Sequence, residues 1–117
     1  MKIYAFDVDE TLEMSAGPIP MQALMDLKDD GQVVGLCGNW AGVTARAPRW
    51  ALFLNFIGPM AMPKDLFLRQ IKAFVPAEDY IMVGNVLGVS GGSDDKGAAE
   101  LAGWRFIQEK DFADGAR

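Results

Sequence analysis

The chain has 117 residues, of which 50% are hydrophobic and 23% are charged. This composition predicts one globular domain with a real core and excludes a disordered chain. The formal net charge of −5 argues against nucleic-acid backbones and anionic membranes as partners. One cysteine and no histidine exclude an internal disulfide, His-based triads and His-ligated zinc. With neither a signal peptide nor a membrane-spanning apolar stretch expected, the predicted compartment is the cytoplasm.

The first eleven residues, MKIYAFDVDET, organise the rest of the chain. The apolar run 3–6 predicts a buried central strand, and the acidic segment that follows predicts its end. In extended backbone the side chains of Asp7 and Asp9 point the same way. Two close carboxylates repel each other, and a divalent cation such as Mg²⁺, which prefers oxygen ligands, relieves that repulsion. The structural alternative is an acidic turn in which Asp9 or Thr11 caps local backbone.

An apolar strand followed by Asp-x-Asp-x-Thr resembles motif I of the haloacid dehalogenase (HAD) superfamily, most of whose members are magnesium-dependent phosphatases. The resemblance implies that Asp7 is the nucleophile that forms an aspartyl-phosphate, and that Asp9 is the general acid and then the base. It also places Thr11 among the phosphate-binding residues. These roles agree with carboxylate chemistry, because a carboxylate can attack phosphorus and a second carboxyl group can protonate the leaving oxygen.

A strand–helix–strand unit occupies the first third of the chain. Residues 12–18 read as a loop, which forms a small flap beside the active site in the resembled family. The spacing of apolar residues predicts an amphipathic helix over 19–30 and a second strand over 32–37. Such a unit implies parallel pairing with a right-handed crossover.

The second strand ends in Gly38 and Asn39, where motif II of the family carries a phosphate-binding Ser or Thr. Gly38 stands at the hydroxyl position and offers only a backbone N–H group. Asn39 either donates its amide to phosphate or caps the next helix, and we favour capping. Losing one oriented donor lowers the rate by ~10²-fold in comparable oxyanion sites, so we expect low activity.

The segment 40–57 carries much of the aromatic surface of the chain. We predict two helical parts separated by Pro48. Core packing is the favoured interpretation of its aromatic residues, and a surface for a homo-oligomer or another partner is the alternative. Residues 58–62 follow as a short third strand, with Pro59 as an unfavourable residue within it.

Another amphipathic helix begins at 63–65 and ends before Pro76. In the resembled family the motif III lysine, which neutralises the nucleophile and the phosphoryl group, lies at such a position. Lys64 is the preferred match because the start of the helix faces the sheet edge where Asp7 lies. Lys72, further along the same helix, is the alternative.

A fourth strand over 80–84 ends in Asn85, where motif IV of the family has an aspartate. The family's second acid aligns with Asp95, because residues 95–103 match its helix pattern. The resemblance therefore implies a metal site of Asp7, Asp9, Asn85 and Asp95, weakened because an amide brings no negative charge.

The Gly/Ser-rich loop 86–94 has two interpretations. It could cradle phosphate, with Ser90 and Ser93 replacing the missing motif II hydroxyl, or it could be a flexible insertion with Ser93 or Asp94 as an N-cap. A last helix over 96–102 closed by Gly103, a fifth strand over 104–107, and a fraying polar tail over 108–117 complete the chain.

Together these elements predict an α/β fold: a three-layer, doubly wound parallel sheet of about five strands, HAD-like and without a cap domain. We expect one domain over 1–117 with its core in 1–107. The expected function is a magnesium-dependent phosphatase, and an open site favours a bulky phosphorylated substrate. The alternative is a catalytically silent relative that keeps the fold for binding or assembly.

Overall fold

The computed structural model describes all 117 residues. Strands and helices alternate along the chain. The strands are β1 (Lys2–Phe6), β2 (Val33–Cys37), β3 (Phe56–Gly58), β4 (Asp79–Gly84) and β5 (Arg105–Gln108). The helices are α1 (Met21–Asp29), α2 (Ala41–Arg46), α3 (Lys64–Phe74), α4 (Asp95–Ala102) and α5 (Glu109–Ala113). None of these helices is both long enough and apolar enough to cross a membrane.

The five strands form one parallel sheet in the order β3-β2-β1-β4-β5. The first strand is central, as predicted, because its residues are apolar on both faces. Successive strands extend to one side as far as β3 and then continue from β4 on the other side. The order therefore reverses between β1 and β4, which is where open α/β sheets place their ligand sites.

Each face of the sheet has its own core. Alternate residues of β1 separate the two, with Tyr4 and Phe6 on one face and Ile3 and Ala5 on the other. The first face is covered by α1, α2 and α5, which contribute Leu24, Leu27, Val43 and Phe112. The second face is covered by α3 and α4, which contribute Leu68, Ala99 and Ala102. The α/β architecture with helices on both faces of a parallel sheet is confirmed.

The third strand and the C-terminal tail differ from the predictions. The strand lies at Phe56–Gly58 instead of 58–62, because Pro59 has no N–H group with which to continue the ladder. The tail was expected to fray, but Glu109–Ala113 is helical. Its Phe112 ring packs edge-on against Phe6 at 5.2 Å between ring centroids, so α5 is part of the core.

The aromatic residues of 40–57 belong to the core, as the favoured interpretation predicted. Phe53 is buried, and Trp40, Trp50 and Phe56 are partly buried against the two core clusters. Leu52, with 68% of its surface exposed, is the one large apolar side chain of this segment that faces solvent. The segment is helical in two parts, α2 and a 3-10 turn, on either side of Pro48.

Candidate active site

The carboxyl ends of β1, β2 and β4 meet the starts of α3 and α4 on one edge of the sheet. Asp7 follows β1 directly, and its N–H group donates to the carbonyl of Val83 at 2.9 Å, so the backbone stays extended beyond the strand. Lys64 is the first residue of α3 and Asp95 is the first residue of α4. Three chain segments that are distant in sequence thus bring their charged residues to one place.

Lys64 joins two buried carboxylates. Its Nζ atom lies 2.8 Å from Oδ1 of Asp7 and 2.7 Å from Oδ1 of Asp95. Asp7 is 2% exposed and Asp95 is fully buried, so neither carboxylate can rely on water for its charge. An ammonium group between them compensates both, and this explains why two acids are tolerated there.

The second oxygen of each carboxylate also has a partner. Oδ2 of Asp7 accepts a hydrogen bond from the hydroxyl of Thr11 at 3.1 Å, and Oδ2 of Asp95 accepts one from the backbone N–H of Asn85 at 2.8 Å. Both acids are therefore held at two atoms, which fixes their orientation. Thr11 is itself fully buried, and its hydroxyl faces Asp7.

The electrostatics of the three charged groups are unequal. Burial disfavours the charge of Lys64, but attraction to Asp7 and Asp95 outweighs burial and raises the lysine pKa. Burial and the charge of Asp7 raise the pKa of Asp95 to about 6, although Lys64 and the Asn85 N–H group oppose that rise. Lys64 has two anionic neighbours, whereas Asp95 has one cation and one anion. Burial raises the pKa of the adjacent Cys37 to about 12, so this thiol is no nucleophile at neutral pH.

An open cleft of about 380 Å³ lies above this charged group. Its lining combines residues of the predicted site with a segment between β3 and α3: Asp7, Asp9, Gly38, Asn39, Pro59, Met62, Pro63, Lys64 and Ser93. Asp9 is exposed, and its Oδ2 atom accepts a 3.5 Å hydrogen bond from the Asn39 amide. Asp7 and Asp9 thus line one cleft, as the sequence spacing predicted, although β1 ends before either of them.

Gly38 lies directly against Asp7. A Cβ atom at this position would stand 2.6 Å from Oδ1 of Asp7 and 3.2 Å from the backbone nitrogen of Val8. The distance of 2.6 Å is shorter than Cβ atoms in proteins adopt, so a side chain here requires Asp7 to move. The glycine therefore leaves space that the Asp7 carboxylate occupies.

Several residues that line the cleft have backbone N–H groups without an acceptor in the protein. Those of Asp9, Asn39, Met62 and Ser93 donate to neither a carbonyl nor a side chain. Free N–H groups close to a lysine form a favourable environment for an anion such as phosphate. The Asn39 side chain does not cap α2, whose N-cap is Trp40 without a side-chain bond, so the favoured capping interpretation was wrong.

Asn85 lies beside the charged group and is buried. Its backbone N–H binds Asp95, its Nδ2 atom donates to the carbonyls of Glu10 and Ser90, and its Oδ1 atom has no partner. No third His, Cys, Asp or Glu residue joins Asp7 and Asp95 to form an acidic or thiolate ligand cluster. Any cation at this place would depend on two carboxylates and on neutral oxygens.

The loop 86–94 is hydrogen-bonded within itself and to the last helix. The hydroxyl of Ser90 accepts a hydrogen bond from Val86 N–H at 3.0 Å and donates to the buried Glu109 at 3.1 Å, so it faces away from the cleft. Ser93 does line the cleft and is the one serine of this loop that does so. Asp94 is the N-cap of α4, and its side chain accepts a hydrogen bond from the N–H group of Gly97. Of the two predicted N-caps, Ser93 and Asp94, the second is therefore confirmed.

The structure distinguishes the two candidate lysines and shows cleft residues that were not predicted. Lys64, and not Lys72, reaches the acids; Lys72 lies near the other end of α3 and binds the carbonyl of Gly103. The cleft wall of Pro59, Met62 and Pro63 was not predicted, because 58–62 was expected to be a strand and Pro63 the start of the next helix. The Gly-Pro step at 58–59, which is typical of a turn, was the available signal.

Comparisons with known proteins give no assignment. No family model matches the chain, and neither the curated proteins nor the solved structures include a match.

Proposed function

We propose that this chain is a HAD-like, magnesium-dependent phosphatase-type hydrolase that acts through an aspartyl-phosphate intermediate, with low activity. The observation that carries the proposal is the position of Lys64 between Asp7 and Asp95, at the point where the strand order reverses. A nucleophilic carboxylate that has to approach an anionic phosphoryl group needs a nearby positive charge. The Asp-x-Asp-x-Thr segment at the end of the first strand supports the same family.

The residues of the cleft can divide the chemistry between them. An oxygen of Asp7 attacks phosphorus, the bond from phosphorus to the leaving oxygen breaks, and Asp9 gives that oxygen a proton. Asp9 then takes a proton from water, which attacks phosphorus, breaks the bond to Asp7 and releases phosphate. Lys64 and the free N–H groups of Asp9 and Asn39 stabilise the negative charge on the phosphoryl oxygens.

The residues beside Asp7 fit a weakly held Mg²⁺ ion. The buried Oδ1 atom of Asn85 has no hydrogen-bond partner, which is unfavourable unless another group, such as a cation, binds it. Asp7, Asp95 and Asn85 would hold the ion, whereas the Asp9 side chain is turned toward Asn39. When bound, Mg²⁺ would neutralise phosphoryl charge. Because Asn85 is neutral and Lys64 already binds both acids, we expect weak affinity for the metal.

We expect low activity because the residue that follows the second strand is a glycine without a hydroxyl group. Gly38 supplies no hydroxyl group, and its N–H group donates to the carbonyl of Gly58 at 2.8 Å, so it offers the phosphoryl group no donor of its own. Ser93 lines the cleft and is the available hydroxyl, while Ser90 is committed to Glu109. The cleft is open and has Pro59, Met62 and Pro63 on one wall, which suits a bulky phosphorylated substrate.

A catalytically silent HAD-like protein with a binding or assembly role is the alternative. The observation that favours it is that all four oxygens of Asp7 and Asp95 are already hydrogen-bonded within the chain. Against it, the aromatic residues of 40–57, which were to form the binding surface, pack into the core.

Hydrolysis of an aryl phosphate across a magnesium titration separates the two functions, with Asp7→Asn as the matched variant. Metal-dependent turnover that disappears in Asp7→Asn is the expected result, because the amide cannot form the aspartyl-phosphate. Equal rates in wild type and variant, or no turnover at millimolar Mg²⁺, would contradict the phosphatase and favour the silent alternative.

A further inference from the structure

We propose that Asn85 is a positioning residue whose side-chain NH₂ group ties the turn carrying Asp9 to the loop 86–91. In this proposal the chain requires an amide at position 85, and the residue is more than a weakened metal ligand. The tie itself consists of two hydrogen bonds donated by the Asn85 side chain. Its consequence for catalysis, that it orients Asp9, rests on the proposed function.

The amide of Asn85 uses both of its hydrogens. The Nδ2 atom donates to the carbonyl of Glu10 at 3.2 Å and to the carbonyl of Ser90 at 3.5 Å. Asn85 is 1% exposed, so water does not compete for these bonds. A single nitrogen atom thereby joins the Glu10 turn to the loop, although Glu10 and Asn85 are 75 residues apart along the chain.

The turn that Asn85 holds is unusual in its backbone. Glu10 adopts a positive φ of 59°, a conformation that is unfavourable for a residue with a side chain. Its N–H group donates to Ser15 at 2.7 Å and its carbonyl accepts from Asn85, so both of its backbone polar groups are held. Asp9 directly precedes Glu10, and the direction of the Asp9 side chain depends on this turn.

The loop that Asn85 holds is a bonded unit. The N–H groups of Val89 and Ser90 both donate to the carbonyl of Val86 at 3.0 Å, and that of Gly88 donates to Gly91 at 3.0 Å. The backbone also packs flat against the amide, since a Cβ atom on Gly91 would stand 2.6 Å from Cγ of Asn85. Ser90 then fixes the loop to Glu109 of α5.

An aspartate cannot replace this amide. A carboxylate at position 85 would place an oxygen where Nδ2 now faces the carbonyls of Glu10 and Ser90, so acceptor would face acceptor, and burial allows no water between them. The shape of the side chain would be unchanged, so the loss would come from the missing N–H groups and the added charge. Asn85→Asp therefore tests the tie with an isosteric change.

Amide hydrogen exchange without metal, in EDTA, measures the tie directly. We expect Asn85→Asp to reduce protection by about tenfold in both segments, at Glu10 to Leu12 and at Gly88 to Ser90, as the loss of one or two hydrogen bonds implies. Asn55→Asp is the matched control, because Asn55 uses its oxygen to accept from Val34 N–H and an aspartate preserves that bond. Loss of protection in one segment only, or equal loss in the control, overturns the proposal.

Ser90→Ala keeps the test decisive if Asn85→Asp does not fold. This variant removes the hydrogen bonds of the Ser90 hydroxyl to Glu109 and to Val86 N–H, and it touches nothing in the Asp9 turn. We expect it to reduce protection at Glu10 to Leu12 as well as in its own loop. A change confined to the loop contradicts the tie.

The leaving group reports on Asp9 separately. If Asn85 orients Asp9, Asn85→Asp lowers kcat for an alkyl phosphate, which needs a proton, by at least about tenfold more than kcat for a nitrophenyl phosphate. Equal losses on both substrates overturn the positioning of Asp9. If the wild type hydrolyses neither substrate, the proposed function fails, and hydrogen exchange still decides whether the tie exists.

Discussion

Asp7 and Asp9 are separated by one residue and occupy opposite environments. Asp7 is buried, with one oxygen on Lys64 and the other on Thr11. Asp9 is exposed, and its side chain makes one hydrogen bond, which it accepts from Asn39 at 3.5 Å. Both line the same cleft, so the difference lies in how firmly each is held.

This contrast matches the two roles that a phosphatase mechanism assigns to the pair. A nucleophile has to be held in line with phosphorus, because misplacement by about 1 Å can cost 10²-fold in rate. An acid that later becomes a base exchanges protons with the leaving group and with water, so it needs access to solvent. The fixed and the free aspartate are therefore what this chemistry would require, and substitutions can test each one.

Removing the lysine should have the largest effect. We expect Lys64→Met to lower the free energy of unfolding by about 3 kcal/mol, since it leaves Asp7 and Asp95 buried without a cation. It should also lower kcat/KM by about 10³-fold. Lys72→Met is the control, because that lysine binds one carbonyl at the surface. Denaturant unfolding and kinetics of both variants would refute the role of Lys64 if they gave similar losses.

The free aspartate should show the opposite pattern. We expect Asp9→Asn to leave the free energy of unfolding within about 0.5 kcal/mol of wild type, because the side chain is exposed. The rate with an alkyl phosphate should fall by about 10²-fold, and by less with an aryl phosphate, which leaves without a proton. Chemical denaturation and the two rates check this prediction. A large loss of stability in Asp9→Asn would show that the two aspartates are held alike.

The fold was largely predictable because apolar periodicity reports directly on burial. The run before Asp7 predicted the central strand, and the helices α1, α3 and α4 began and ended within about two residues of their predicted bounds. The tail was not predictable in this way. Phe112 is a single aromatic residue among charged ones, and only the sheet face beside Tyr4 and Phe6 makes it a core residue.

The site was predictable where strand ends and helix starts fix a backbone position, as at Asp7, Lys64 and Asp95. The site was not predictable where one side chain could form hydrogen bonds with alternative partners. Asn39 turned to Asp9 and away from the helix it could cap, and Ser90 turned to Glu109 and away from the cleft. The meaning of Gly38 depends on a distance to Asp7 that no sequence pattern contains.

Substitutions of Gly38 test whether the site merely lacks the motif II hydroxyl group or needs a glycine at this position to make room for Asp7. We expect Gly38→Ser and Gly38→Ala each to lower kcat/KM by about tenfold, because either Cβ atom displaces the Asp7 carboxylate from Lys64. The alanine variant separates the steric effect from the hydroxyl. A serine variant more active than wild type, alongside a weak alanine variant, would mean that a hydroxyl group is simply missing. Steady-state kinetics on an aryl phosphate measure the difference.

The smallest effect should come from an ion pair far from the cleft, which calibrates what an exposed pair contributes. Arg105 donates two hydrogen bonds to Oδ2 of Asp79, and these bonds hold the pKa of that carboxyl group below its ordinary value of about 3.9. Since the pKa is lower in the folded state, the pair stabilises the protein at pH values above that ordinary pKa. This contribution is lost as the pH falls through the folded-state pKa.

We expect Arg105→Gln to lower the free energy of unfolding by less than about 1 kcal/mol at pH 7, and by less still at pH 2–3. Urea unfolding at both pH values measures this, and a pH-independent loss would assign the effect to packing of the arginine stem. The exposed pair between β4 and β5 would then differ from the buried contacts of Lys64 in kind as well as in size.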